Sequence, residues 1–330
     1  MLVCCNHCRG QMNKCRVCEN ILNNQVHLFR ERYLGLGDVF EYIECGVCKS
    51  LSITNLPDDM ARYYPETYYS YTEKPYKRIL GFLKGCRDRH YLGRFNPIGY
   101  LASFLLAAPA YIEWLSNLDL QPDASILDVG CGAGTLVVNL RDAGFQPVGI
   151  DPYISQSINY TNGAKILKQS LEETVGSYDC IMLHHSLEHM ALPRDIFLHL
   201  DRLLKPDGSL LIRIPVTGSY AWRTYGEHWF QLDAPRHFVL FTEAALVSLA
   251  EESGFRLRKI VYDSTASQFW GSEQYLRGIA HTSHNSYAFA PDKSIFSPQE
   301  IHEYTRMAIE LNMHGDGDQA AFYFTKVKHD

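Results

Sequence analysis

The chain has 330 residues, 46% of them apolar and 21% charged, which is an ordinary globular balance. Its formal charge of −6, from 31 Lys+Arg against 37 Asp+Glu, argues against a nucleic-acid binder, which needs a basic field. There is no run of about 18 apolar residues, so no membrane span is predicted, and no N-terminal signal pattern stands out. A cytoplasmic protein without a membrane partner is the expectation. Ten cysteines are unevenly spread, because seven fall in the first 48 residues.

Three CxxC pairs open the chain: Cys5–Cys8, Cys15–Cys18 and Cys45–Cys48. Such a pair can bind metal, carry redox chemistry or consist of free thiols. Thioredoxin-like chemistry wants a strand-to-helix junction, which Cys15-Arg-Val-Cys18 followed by Glu-Asn-Ile does not offer. Cys15, Cys18, Cys45 and Cys48 fit a closed four-thiolate zinc site, with two knuckles brought together by a β-ribbon. Gly46 is expected to serve a left-handed knuckle turn. A head this small needs the metal for its stability. The predicted organisation is a flexible tail at 1–14, a zinc-binding module at 15–50, a tyrosine-rich helical connector at 51–100 and a main domain at 101–330. Cys4, Cys5, His7 and Cys8 are left in the tail as an unassigned set.

In the connector, Tyr63 to Tyr71 includes five tyrosines in nine residues. Their phenol faces suit packing between domains or the wall of a substrate pocket. Pro97–Leu115 reads as one apolar helix.

Ser125–Val129 is a short strand that runs into Gly130-Cys131-Gly132-Ala133-Gly134, followed by a helical pattern ending at Gly144. A second strand, Pro147–Ile150, ends in Asp151, 17 positions after Gly134. This is a βαβ unit with a nucleotide-binding layout, the acid suited to two ribose hydroxyls. Asp128, just before the glycines, would repel a pyrophosphate and favour a ligand with an ammonium group. That weighs against a nicotinamide-dinucleotide enzyme.

Four segments then carry a family resemblance: ILDVGCGAG at 126–134, GID at 149–151, YDCIMLHHSLEHM at 178–190 and LKPDGSLLIRIP at 204–215. In this order the chain resembles the class I S-adenosylmethionine-dependent methyltransferases. The resemblance implies an α/β, Rossmann-like seven-stranded sheet of order 3-2-1-4-5-7-6, with strand 7 antiparallel. It places strand 3 at Ala164–Leu167 and strands 6 and 7 at Arg256–Ser264 and Ala320–Lys328. It implies S-adenosylmethionine as cofactor, held by Asp128, Gly130, Cys131, Gly132, Gly134, Asp151, Ser170, Leu171, His184 and His185.

Methyl transfer needs alignment, exclusion of water and removal of a proton. Glu188 and His189, in the loop after the fourth strand, are acid-base candidates. The segment Asp233-Ala234-Pro235-Arg236-His237-Phe238 resembles part of a subset of these enzymes that act on deoxysugars and polysaccharides, some with a four-cysteine zinc head. The resemblance makes His237 the base, with His189 aiding the acceptor. Arg236 is expected to favour the neutral form of His237. The chain lacks room for the extra C-terminal half of the sugar C-methyltransferases, so O-methylation and C-methylation both stay open. A divalent ion on Glu188, His189, His185 and His237 is the metal-assisted variant. Arg213, Arg223 and Arg236 could meet a substrate phosphate. The expected acceptor is a small molecule, a nucleotide sugar or glycan among the options. An RNA- or protein-modifying enzyme and a non-catalytic adaptor are the alternatives.

Overall fold

The structure is a computed structural model that describes residues 14–64 and 76–327. The tail cysteines and Tyr68, Tyr69 and Tyr71 lie outside the described residues. In chain order the strands are β1 (Gln25–Arg30), β2 (Val39–Glu44), β3 (Leu51–Ile53), β4 (Ser125–Val129), β5 (Gln146–Ile150), β6 (Ile158–Asn159), β7 (Lys165–Leu167), β8 (Tyr178–His184), β9 (Leu204–Pro215), β10 (Val239–Leu240), β11 (Phe255–Tyr262) and β12 (Gln319–Lys326). The α-helices are α1 (Arg78–Tyr91), α2 (Pro97–Ser103), α3 (Ala110–Ser116), α4 (Thr135–Asp142), α5 (Pro193–Leu203), α6 (Tyr220–Tyr225), α7 (Glu243–Glu252), α8 (Ser267–Leu276) and α9 (Pro298–Met313).

The main sheet is mixed and mostly parallel, in the order β11-β12-β9-β8-β4-β5-β7-β6. β12 runs antiparallel to both neighbours. The sheet has eight strands where seven are expected. The addition is the two-residue β6, laid antiparallel on the β7 edge by a turn in which Tyr160 N–H donates to Ala164 O at 2.9 Å. An edge strand of two residues offers little for another chain to pair with. The central strands β4 and β8 are mostly apolar and mostly buried, as expected of parallel strands covered on both faces.

Two expectations fail locally. The single helix over Pro97–Leu115 is two helices, α2 and α3, parted by the segment before Pro109. Proline supplies no N–H and pushes the preceding residue out of the helical region. At Gly46 the backbone is not left-handed; Lys49 (φ 60°) and Glu19 (φ 62°) close the two knuckles instead. Glycine is needed at 46 for space, since a Cβ there would lie 2.5 Å from Asn23 O.

The second sheet joins head to body. Its order is β1-β2-β3-β10, so strand β3, expected in the connector, pairs with β2 on one side and with β10 of the body on the other. Phe29, Tyr42, Leu51 and Ile53 share one core with Trp229, Val239 and Phe241. Arg16 donates to Ala191 O at 3.1 Å, and Arg194 donates to Val17 O at 2.8 Å. Among the described residues no helix is long and apolar enough to cross a membrane.

Candidate active site

One cavity of about 1750 Å³ runs along the carboxyl ends of the main-sheet strands. A site for one drug-sized ligand occupies about 300–1,000 Å³, so there is room for two molecules side by side. Asp128, Asp151, Gln169, Ser170 and Leu171 line one end, and His189, His237, Phe230 and His281 line the other.

At the first end, β4 delivers the chain into a glycine turn. Gly130 and Gly134 have φ of 73° and 76°. A Cβ at Gly130 would meet Ser186 Cβ at 2.5 Å, and one at Gly134 would meet Ile166 Cδ1 at 2.1 Å, so neither place admits a side chain. Asp151 caps β5 and accepts from Gly132 N–H and Tyr153 N–H, both at 2.9 Å. It therefore fixes the loop as well as facing the cavity. Burial pushes the Asp151 carboxyl up, and the two backbone donors pull it part of the way back. Burial and the neighbouring Asp151 charge push Asp128 from 3.8 up to about 7. A buried carboxylate pair with this penalty is a ready partner for a cation and a poor one for a phosphate. Burial also holds the Cys131 thiol neutral. The residues present thus fit a cationic, ribose-bearing cofactor.

At the second end, three bases converge. One donor atom each from Glu188, His189 and His237 lies within 4.8 Å of the others. The backbone decides the histidine tautomers. His189 Nδ1–H donates to Arg236 O at 2.7 Å, with the Tyr64 hydroxyl 3.2 Å from the same nitrogen. His237 Nδ1–H donates to Gln231 O at 2.7 Å. Each ring therefore keeps an Nε2 lone pair. Burial pushes His189 down to about 4, so it stays neutral. Glu188 is fully buried, and neither of its oxygens has a well-formed hydrogen bond. Burial raises its carboxyl, but His185, His189 and His237 outweigh that and hold it below the ordinary value.

A four-residue chain stands behind Glu188. Arg213 donates to His185 Nε2, which fixes the proton on Nδ1, and that nitrogen lies 3.4 Å from Glu188 Oε1. Arg213 is itself paired with Asp263 and lies over the Trp114 ring, 4.8 Å from its centroid. Trp114 also donates to Asp263. His185 adopts φ 50°, a costly conformation for this residue type that this network maintains.

Residues 100–260 match the family described as methyltransferase domain. They are a class I S-adenosylmethionine-dependent methyltransferase domain. The chain is similar to the mitochondrial ubiquinone biosynthesis O-methyltransferase of Saccharomyces cerevisiae, 32% identical over 114 residues that cover 29% of this chain and 35% of the other. It is similar to the ubiquinone biosynthesis O-methyltransferase of Rickettsia bellii, 33% identical over 99 residues, 27% of this chain and 41% of the other. The chain thus spans less than half the length of these two relatives. Among solved structures it is similar to the cyclopropane synthase MmaA2 of Mycobacterium tuberculosis, at 20% identity and a TM-score of 0.42, over 64% of this chain and 81% of that one.

Within the methyltransferase domain, the residues expected at the cofactor all line the cavity, but two do different work. His184 ends β8 with its ring 4.6 Å from that of Trp114. Burial and Arg213 push it down to about 3, and neither ring nitrogen has a hydrogen-bond partner among the described residues. His185 is turned toward Arg213 and Glu188, so the ion-binding variant loses it as a ligand while keeping the other three. The three arginines considered for a phosphate are committed elsewhere: Arg213 to Asp263, Arg223 to Asp316 and Arg236 to Asp233. The Arg236 guanidinium also lies 3.6 Å over the Tyr33 ring. Its charge is balanced in place, not a lone cation beside His237.

The sequence reading missed most of the wall around the acceptor end. Tyr33 and His281 stack with centroids 4.6 Å apart, and Thr282 N–H donates to Tyr33 O at 3.1 Å. Phe230 stands 5.3 Å from His281. A lone tyrosine in a head turn and a lone histidine in a late loop carry no local pattern that marks them. The histidine base candidate is also tied to the head: Tyr42 O–H donates to His237 O at 2.8 Å, and Ile53 N–H donates to Phe238 O at 2.9 Å.

The four head thiols converge and are all free of disulfides. Cys15 and Cys48 sulfurs are 3.6 Å apart, and Cys18 and Cys45 sulfurs 3.5 Å. A disulfide needs about 2.05 Å. A tetrahedron with zinc–sulfur bonds of about 2.3 Å has edges of about 3.8 Å. The cluster therefore has the donor set and spacing of a structural zinc centre.

Proposed function

We propose that the chain transfers a methyl group from S-adenosylmethionine to a ring hydroxyl of a small acceptor, with His237 as base. The observation that carries this is one cavity with a cation-seeking carboxylate pair at one end and three converging bases at the other. When bound, the cofactor supplies an electrophilic methyl group on a sulfonium. Asp151 binds the ribose, and Asp128 takes up the cationic part. The glycine turn allows close approach of backbone. His237 Nε2 accepts the hydroxyl proton, and the bond from Nδ1–H to Gln231 O holds the ring so that this lone pair faces the acceptor. Glu188 stabilises the protonated ring. His189, kept neutral by burial, orients the hydroxyl.

The acceptor reading rests on the aromatic wall of Tyr33, Tyr64, Phe230 and His281, which suits a flat ring. Two similar proteins are named for ubiquinone biosynthesis, which favours a phenolic hydroxyl over the sugar or glycan of the first reading. The test is labelled methyl transfer into catechols, simple phenols and nucleotide sugars side by side. Transfer to a phenol supports the reading, transfer to sugars alone returns it to carbohydrate, and transfer to none refutes a small acceptor.

The convergence of Glu188, His189 and His237 supports a second reading, in which a divalent ion held there polarises the acceptor oxygen. Turnover that is lost on chelation and regained with added magnesium alone favours it, since a four-thiolate site is not refilled by magnesium. Turnover indifferent to chelation leaves proton removal to His237 alone.

A zinc ion on Cys15, Cys18, Cys45 and Cys48 has a structural role in this scheme, since a four-thiolate site has no open position.

A further inference from the structure

The α1–α2 helical hairpin, which leads into the methyltransferase domain and overlaps its start, is built inside out. α2 buries only Gly99 and Ala102, its two smallest residues, and turns its large residues outward. Phe95 is 94% exposed, Leu105 86% and Phe104 70%, with Ile98, Tyr100 and Leu101 exposed between them. On α1, Ile79 is 80% exposed and Phe82 is exposed beside it. Single exposed apolar residues are normal on a protein surface, but ten within 27 residues, Leu80 and Tyr91 included, form a patch that calls for a partner.

The hairpin is fixed to the body. Gly85 of α1 lies so close to α4 that a Cβ would fall 2.2 Å from Asp142 O. Arg89 donates to Asp142 O at 2.6 Å, and Arg94 donates to Pro122 O at 3.2 Å. Asn96 caps α2 by accepting from Gly99 N–H at 2.9 Å. The large side chains are therefore held outward by a finished structure.

Charge identifies the occupant. Residues 76–109 contain Lys77, Arg78, Lys84, Arg87, Arg89 and Arg94, and a single acid, Asp88. Asp88 is buried and paired with Arg87. Arg89 and Arg94 turn toward the body, which leaves Lys77, Arg78 and Lys84 on the same helix as the exposed Ile79 and Phe82, in no ion pair among the described residues of a chain whose formal charge is −6. A second copy would bring like charges together with no acid to meet them. An anionic lipid surface meets both features: aromatic and aliphatic side chains enter the acyl boundary while lysine and arginine contact the headgroups.

We propose that the α1–α2 hairpin docks this protein on the surface of an anionic bilayer, peripherally and without a spanning helix. This replaces the expectation of no membrane partner. Docking there brings the enzyme to acceptors that partition into lipid, but the binding itself does not depend on which acceptor is used.

The test is flotation of the full-length protein with phosphatidylcholine vesicles, with and without phosphatidylglycerol. Partitioning should be at least about tenfold stronger with the anionic lipid and should weaken with added salt. The triple variant Leu101→Ser, Phe104→Ser, Leu105→Ser should abolish flotation. The triple variant Lys77→Gln, Arg78→Gln, Lys84→Gln should lose only the preference for anionic vesicles. Thermal melting by circular dichroism checks that each variant is folded, and the charge variant, which leaves the apolar residues intact, serves if the first does not fold. Absence of flotation, or flotation unaltered in both variants, overturns the proposal. So does a concentration-dependent dimer in the ultracentrifuge that the apolar variant abolishes, since a second copy would then cover the patch.

Discussion

The two ends of the cavity are built in different ways. The cofactor end comes from one stretch of chain, from Asp128 to Leu171, in which each residue follows a strand end or turn in regular order. The acceptor end is assembled from five places: Tyr33 in the head, Tyr64 in the connector, the loop after β8, the segment Phe230–His237 and the loop around His281. The first end uses backbone geometry and two acids. The second uses side chains held by other side chains and by carbonyl groups. A local pattern can therefore specify the first, whereas only the packed fold specifies the second.

Substitutions should separate the two ends. The largest effect is expected at His237. His237→Ala should lower turnover by about 10²–10⁴-fold with cofactor affinity unchanged, measured by labelled transfer and calorimetry. Unchanged turnover removes His237 as the base. Asp151→Ala should weaken cofactor binding by roughly 100-fold, because it removes both the ribose acceptor and the bond that fixes Gly132. The melting profile should keep its main transition.

Smaller effects should follow at the acceptor wall and in the pH dependence. Tyr33→Ala should raise the KM for the acceptor by roughly tenfold, with a smaller fall in kcat, because it removes one stacking face. Cofactor affinity should fall as pH drops below about 7, because Asp128 is then protonated in the free protein and must lose its proton when a cation binds. Calorimetry in buffers of different ionisation enthalpy should detect the released proton, and Asp128→Asn should abolish that dependence. The same raised carboxyl makes Asp128 a destabilising group in the free protein, its cost growing as pH rises from 3.8 through about 7.

This contrast also explains how much was legible. The strand-turn-helix run from Ser125, the acid at Asp151 and the base-rich loop after the fourth strand follow from spacing and residue type. So do the four head cysteines, because CxxC pairs carry their geometry with them. What could not be read is where the head sits. Nothing in Leu51-Ser52-Ile53 signals that it pairs with Val239–Leu240, or that Tyr42 bonds the carbonyl of His237. Those contacts span nearly 200 residues and depend on the shared core. Arg213 was misread for the same reason. Its partners His185 and Asp263 are remote in sequence, so a half-buried positioning group reads as a candidate phosphate contact.

In the proposed scheme the four-cysteine module shapes the acceptor end and leaves the cofactor end alone. Cys45→Ser in the full chain tests it most directly, since removing one thiolate should collapse a site whose binding energy is the folding energy of its module. Cofactor affinity should stay within about twofold of the parent, by the independence of distant sites, while methyl transfer is lost. Transfer at the parent rate, or loss of cofactor binding along with it, would contradict that claim.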